Sequence, residues 1–295
     1  MQTDNTTSSG QSRAILLAIL AAALYALNIP LSKWLLQATP PTMTAAFLYI
    51  GAGVGMGSMM LMRRKTHYRG HEASLSRKDL PFTIAMVVLD IAAPIFMMFG
   101  LRQAVAANAS LLGNFEIVAT ALIAMIAFRE TVSRRLWVAI GFVTVASILL
   151  SFEGEGSLTF SFGSLLVLCA TVCWGLENNC TRQIAERDPM QIVTVKGFGS
   201  GIGALIIALV IGEAIPSLWL VAGTCLLGFV SYGLSIYVYT YAQRTIGAAK
   251  TSTYYFIAPF IGALLSIVFL GESITAAFCI GCTLMGIGAW IAAKE

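Results

Sequence analysis

The sequence predicts an all-α integral membrane protein of about ten transmembrane helices, arranged as two inverted five-helix repeats. Three observations carry this. Of 295 residues, 58% are hydrophobic and only 11% charged, and the mean hydropathy is +0.82; in a soluble domain about a quarter of residues are charged. The apolar residues fall into runs of about 20, the length that crosses a bilayer. And the chain repeats itself: Arg244–Glu272 lands, without gaps and at a constant offset, on Arg102–Glu130. Ala248 and Ala249 then fall on Ala106 and Ala107, Ser252 on Ser110, Ala263 and Leu264 on Ala121 and Leu122, and Glu272 on Glu130.

Taken in order, residues 1–13 are polar and read as a disordered cytoplasmic N-terminus. The run after Arg13 is too long for a cleaved signal peptide and is followed by others like it, so it reads as a retained first span. The spans are expected near 14–36, 42–62, 81–101, 105–128 and 134–152 for the first repeat (14–152). For the second (160–293) they are expected near 160–184, 190–212, 218–240, 247–270 and 275–293. Connections are short except Arg63–Leu80, and no soluble domain interrupts them. Pro41 and Pro189 open the second and seventh spans, where a proline fits a helix start. Gly51, Gly53, Gly55 and Gly57 alternate in one of these spans, and Gly197, Gly199, Gly201 and Gly203 in the other. Spacing by four puts small residues on one face, where two helix backbones can approach. No strand precedes these glycines, which removes a nucleotide-binding reading.

Orientation follows the Lys/Arg asymmetry. Arg63, Arg64, Lys65, Arg69, Arg77, Lys78, Arg129, Arg134, Arg135, Arg182, Arg187, Arg244 and Lys294 share one side if the N-terminus is there too, while Glu153, Glu155, Glu213 and Glu272 lie opposite; Arg102 is the main exception. Both termini are therefore expected in the cytoplasm, in a multi-pass inner-membrane protein. With five spans per copy, an odd number, the second copy enters from the opposite face. Inverted repeats of this kind are a design of secondary transporters, which rock about a central site.

Tyr25-Ala26-Leu27 corresponds to Trp174-Gly175-Leu176, and Ser32-Lys33 to Thr181-Arg182. With the small-residue entries, the closing Glu130-Thr131 and Gly271-Glu272-Ser273, and Pro259, this pattern resembles the drug/metabolite transporter superfamily, in particular its EamA-type members. The resemblance covers nearly all of the chain after Arg13. It implies two five-helix halves and movement of small metabolites, with export of amino acids or related amphipathic compounds a common task. One departure is visible: Glu116-Ile117 stands where the second copy has Ala258-Pro259, which puts the symmetry of the halves in question there.

Polar groups at bilayer depth are costly, at least about 2.5–3.5 kcal/mol for a central charge on insertion scales, and usually face a cavity or a partner. Asp90 and Glu116 are the deep acids. With Asn28, Asn114, Trp174, Glu177, Tyr232, Tyr254 and Tyr255 they form the expected lining of a central cavity. Aromatic faces and acids attract an ammonium group. Burial in lipid disfavours a carboxylate's charge, so Asp90 or Glu116 is also a candidate proton carrier. Lys196 and Lys250 lie about a turn inside their spans; they either snorkel to the interface or meet a substrate carboxylate, an arrangement that would suit a zwitterion. Glu130 and Glu272 are expected to face the N-terminus of the helix that follows each of them.

The expected function is thus alternating-access transport of small metabolites, with efflux of toxic organic cations as the alternative and a membrane-embedded enzyme or a non-transporting receptor as remote ones. A membrane enzyme would need a nucleophile–base pair or metal ligands at depth. His67 and His71 lie in the basic loop, and Cys279-x-x-Cys282 reads as two small residues on a lipid-embedded helix. No cofactor, metal or nucleic acid is implied, and without a nucleotide-binding domain the chain is not expected to pump with ATP by itself. The partners implied are a small-molecule substrate and the lipid bilayer.

Overall fold

The structure, a computed structural model, describes residues 4–65, 73–153 and 159–294; His67, His71 and Arg69 lie outside them. The ten expected segments emerge as helices, several of them broken. The first is α1 (Asp4–Ala26) and α2 (Asn28–Leu35); the next two are α3 (Pro41–Lys65) and α4 (Leu80–Gln103). The fourth is α5 (Ala106–Leu112) and α6 (Phe115–Phe128), and the fifth α7 (Arg134–Leu150). The second half holds α8 (Phe162–Arg182), α9 (Pro189–Val210), then α10 (Leu218–Gly228) and α11 (Ser235–Ile246) joined by a π-helical turn over Phe229–Leu234. It ends with α12 (Ala248–Tyr255), α13 (Ala258–Leu270) and α14 (Ala276–Ala292).

Six helical stretches are by themselves long and apolar enough to cross a membrane: Gln11–Leu35, Pro41–Arg63, Arg77–Gln103, Ala106–Phe128, Pro189–Val210 and Leu218–Ile246. Ala258–Leu270 and Ala276–Ala292 are shorter apolar helices. α8 has the length, but its last two turns carry Glu177, Asn178, Asn179 and Arg182. Two differences from the sequence reading concern irregular segments. Helix α1 begins at Asp4, upstream of the expected first span at 14, because a helix nucleated in the apolar run extends over its polar lead at little cost. Between α7 and α8, β1 (Phe152–Glu153) pairs antiparallel with β2 (Thr159–Phe160), a short hairpin stem in an otherwise helical chain.

Packing follows the repeat. Segment two packs on seven (α3 on α9), four on nine (α5 on α13) and five on ten (α7 on α14). The remaining major contacts come in exchanged pairs: α4 packs on α8 as α11 packs on α1, and α6 packs on α8 as α12 and α13 pack on α1. This set is unchanged when the halves are swapped, as a two-fold relation requires. At the α3–α9 crossing a Cβ on Gly197 would sit 2.5 Å from the nitrogen of Gly53, and one on Gly53 would sit 2.8 Å from the nitrogen of Phe198. Backbone touches backbone, so only glycine fits. Outward, Leu218, Trp219, Val210 and Val268 are exposed, an apolar belt suited to lipid.

The breaks are also related. Segments four and nine share an offset of 142 residues, and their breaks at 113–114 and 256–257 fall one residue apart on that offset. In segment nine, Pro259 removes a helical N–H. In segment four, Gly113 is the weak helix former, and the chain bridges it with three-residue turns: Glu116 N–H donates to Gly113 O at 3.2 Å and Ile117 N–H to Asn114 O at 3.0 Å. The departure at Glu116-Ile117 therefore leaves the backbone symmetry intact. Both segments end on a left-handed residue, Arg129 (φ 56°) and its counterpart Gly271 (φ 66°).

Candidate functional site

The deep polar residues meet where α3, α4, α8, α9 and the π turn converge. Asp90 is fully buried on α4. Its Oδ1 accepts from the Tyr49 hydroxyl at 3.2 Å, and its Oδ2 lies 2.9 Å from the Lys196 ammonium. The same ammonium lies 3.1 Å from Glu177 Oε2. Glu177 also accepts a hydrogen bond from Thr181, one turn along α8. Trp174 Nε1–H points to the Tyr49 oxygen at 3.4 Å. Lys196 thus leaves its helix inward and does not snorkel; its ammonium is taken up by two carboxylates. Its side chain keeps 19% exposure while Asp90 has none, so the triad is reached from the lysine side. With all three groups ionised, the triad carries one surplus negative charge.

A tyrosine face adjoins it. Tyr232 takes a hydrogen bond from Asn28 Nδ2 at 2.7 Å, and Asn28 Oδ1 accepts from Ser32 at 3.2 Å. The Tyr232 ring lies 5.2 Å from Tyr49 and 6.0 Å from Tyr25, and Tyr25 lies 5.8 Å from Tyr255. The π turn that carries Tyr232 adds a residue to the helix, a feature frequent at functional sites. Counted along the offset, Tyr232 is the counterpart of Asp90: each precedes its repeat's arginine, Arg244 or Arg102, by 12 residues. Glu116 forms a second acidic position, taking a hydrogen bond from Asn178 Nδ2 at 2.5 Å. Asn114, at the break before α6, is buried, and its Nδ2 has no hydrogen-bond partner.

The structure therefore joins Asn28, Asp90, Trp174, Glu177, Lys196 and Tyr232 in one network, brings Tyr255 to it through Tyr25, and sets Glu116 beside it through the Asn178 next to Glu177. Lys250 does not join: it is exposed on α12. Tyr254 is half-buried and outside the network. The zwitterion arrangement expected from two free amines loses its donors, since Lys196 is already held by acids. Tyr49 was missed in the sequence. Its signal was a hydroxyl eight residues inside an apolar span, which when buried needs a partner.

The two ends of the bundle differ. At the end away from the termini, α2 packs on α4, α5, α10 and α13, and α5 on α13. Glu272 accepts from the amides of Ala106 and Ala107, each at 2.7 Å, and Glu213 from those of Thr42 and Met43 at 3.1 and 2.7 Å. Lys33 Nζ donates to the carbonyls of Leu101 at 2.6 Å and Ala104 at 2.8 Å. At the terminal end, among the described residues, α1 and α12 make no comparable packing on α6 and α8, so that end is the more open of the two. The ion pairs at that end, Arg63 with Asp188, Arg187 with Asp79 and Arg182 with Glu130, all link segments two, three, four, six and seven. The expectation that Glu130 and Glu272 serve the following helix is corrected. Ser133 and Thr275 cap those helices, accepting from Leu136 and Phe278, which frees both glutamates for partners elsewhere.

Residues 12–152 and 161–293 each match the model of the EamA-like transporter family. An uncharacterized transporter of Methanothermobacter thermautotrophicus is 26% identical over 273 residues, covering 86% of this chain and 78% of its own. The uncharacterized transporter YyaM of Bacillus subtilis is 20% identical over 268 residues, covering 88% of this chain and 86% of its own. A crystal structure 18% identical in sequence superposes with a TM-score of 0.65, covering 95% of this chain and 96% of that one, a likeness of fold. With both halves matched, an apolar belt around them and a charged seam between them, the chain belongs to the EamA-like transporter family and is a multi-pass membrane transporter.

Proposed function

We infer that the protein is a secondary active transporter, and no enzyme, that exports small amphipathic metabolites, amino acids or related amines, by alternating access with proton exchange at the central triad. The observation that carries this is the surplus carboxylate in Asp90–Lys196–Glu177. Asp90 comes from one half and its charged partners from the other, so a change in their relative position changes the charge balance. An uncompensated buried charge is costly, and a proton or a substrate amine relieves it. Asn114, whose buried Nδ2 lacks an acceptor, supplies a donor for the other pole of such a substrate. The basic flanks favour cytoplasmic termini in the inner membrane, which makes the more open end the loading side of an exporter.

A second reading, efflux of organic cations, is favoured by the rings of Tyr25, Tyr49 and Tyr232 around the acids. Proteoliposomes loaded with a mixture of the L-amino acids or with ethidium separate the two. Wild type is expected to carry the amino acids in exchange for protons, flux of ethidium alone marks the second reading, and Asp90→Asn is expected to lose the flux while keeping its elution profile. Undiminished flux by Asp90→Asn, or binding without flux by wild type, contradicts the inference.

A further inference from the structure

Lys33 and Glu272 act together on one corner of the chain. Lys33 holds the carbonyls that end α4, at Leu101 and Ala104, and Glu272 holds the amides that open α5, at Ala106 and Ala107. The corner between segments three and four is thereby clamped from both sides by the other elements of the closed end. A carboxylate on opening amides and an ammonium on closing carbonyls both oppose the charge of a helix terminus.

The repeat supplies the same parts at the other end. Glu130 is the counterpart of Glu272, and Arg182 of Lys33. Their corner is the one between α11 and α12. On the offset, Gln243 and Ile246 stand for Leu101 and Ala104, and Ala248 and Ala249 for Ala106 and Ala107. Yet Glu130 and Arg182 are not there. They hold each other, Nη1 to Oε1 at 2.6 Å, in a half-open position with side-chain exposures of 37% and 59%. The clamp is engaged at the closed end, and its duplicate is parked at the open end.

We propose that these two acid–base pairs are reciprocal gate residues of the transport cycle. When the terminal end closes, Arg182 and Glu130 part; Arg182 takes the last carbonyls of α11 and Glu130 the first amides of α12. Lys33 and Glu272 release the α4–α5 corner and pair with one another. Each cycle exchanges one engaged clamp for one parked ion pair, so the two states contain equal numbers of polar contacts. Neither end then has to expose an unpaired charge as it opens. This rests on the alternating-access reading above.

Hydrogen exchange of the full chain in nanodiscs reads both corners at once, on peptides covering 104–112 and 246–255. In wild type the first is the slower. Glu272→Gln is expected to speed exchange over 104–112 by about fivefold, the size of one lost helix cap, and to slow 246–255 by a comparable factor. Lys33→Gln, which removes the other half of the same clamp, gives the same reciprocal pattern if Glu272→Gln does not fold. Glu130→Gln is expected to do the opposite, slowing 104–112 further. A merely structural role predicts faster exchange next to each substitution and no change at the far corner, and that result overturns the proposal. Adding mixed L-amino acids or ethidium to wild type distinguishes failure of the clamp from failure of alternating access. If protection moves between corners on addition but not in the variants, the clamp is wrong and alternating access stands. If the additions and the variants both leave the corners unchanged, the underlying reading fails.

Discussion

Two seams join the halves, and they are built on opposite plans. The α3–α9 crossing is symmetric: each half brings alternating glycines, and Gly53 meets Gly197 backbone to backbone. The charged seam is not. The first half supplies Asp90 and the second supplies Lys196 and Glu177, while the counterparts of Asp90 and Glu116 are Tyr232 and Ala258. Duplication has been kept where backbones touch, because packing there tolerates no side chain, and abandoned at the charged seam. A rocking scaffold needs equivalent halves, whereas a binding site needs a polarity.

The comparison makes ordered predictions. The largest effect is expected at the charged seam. Lys196→Met leaves two buried carboxylates facing each other and is expected to cost about 3–5 kcal/mol, read as a fall in unfolding midpoint in detergent. Adding Asp90→Asn should recover part of it; no recovery would mean the loss is packing alone. At the symmetric seam, Gly197→Val overpacks a backbone contact and is expected to cost about 1–3 kcal/mol. Gly141→Val, where an added Cβ meets nothing within 4 Å, serves as the control and should leave the midpoint in place. A smaller effect of opposite sign is expected at Arg129, the non-glycine counterpart of Gly271 at φ 56°. Arg129→Gly removes left-handed strain of about 1 kcal/mol and should raise the midpoint. Last, Lys250→Ala, exposed on α12, should change neither midpoint nor flux; a loss of flux would bring Lys250 into the site.

The fold was legible because lipid makes hydropathy a strong signal, and because the repeat at Arg102–Glu130 and Arg244–Glu272 fixed the relation of the halves. The site was legible in part. Asp90, Glu177 and Tyr232, which the structure brings together, stand out in the sequence because a polar group inside an apolar run is conspicuous. Lys196 was ambiguous, since one turn from a span end both snorkelling and inward turning are open, and only the placement of Asp90 and Glu177 across the seam decides it. Tyr49 was hidden by its own apolar ring. The partners of Glu272 lie 166 and 165 residues away in sequence, and no local pattern points to them. The break at Gly113 has no proline to mark it as Pro259 marks its counterpart.

The central claim is that the two halves move about a shared polar seam, one end opening as the other closes. Spin-label distances test it most directly. One pair would span the open end, at Ile126 and Thr245, and one the closed end, at Gln103 and Ile274, with the native cysteines replaced. On addition of a carried compound, the first distance should shorten and the second lengthen in the same fraction of molecules. Flux that proceeds with both distances unchanged would contradict the account.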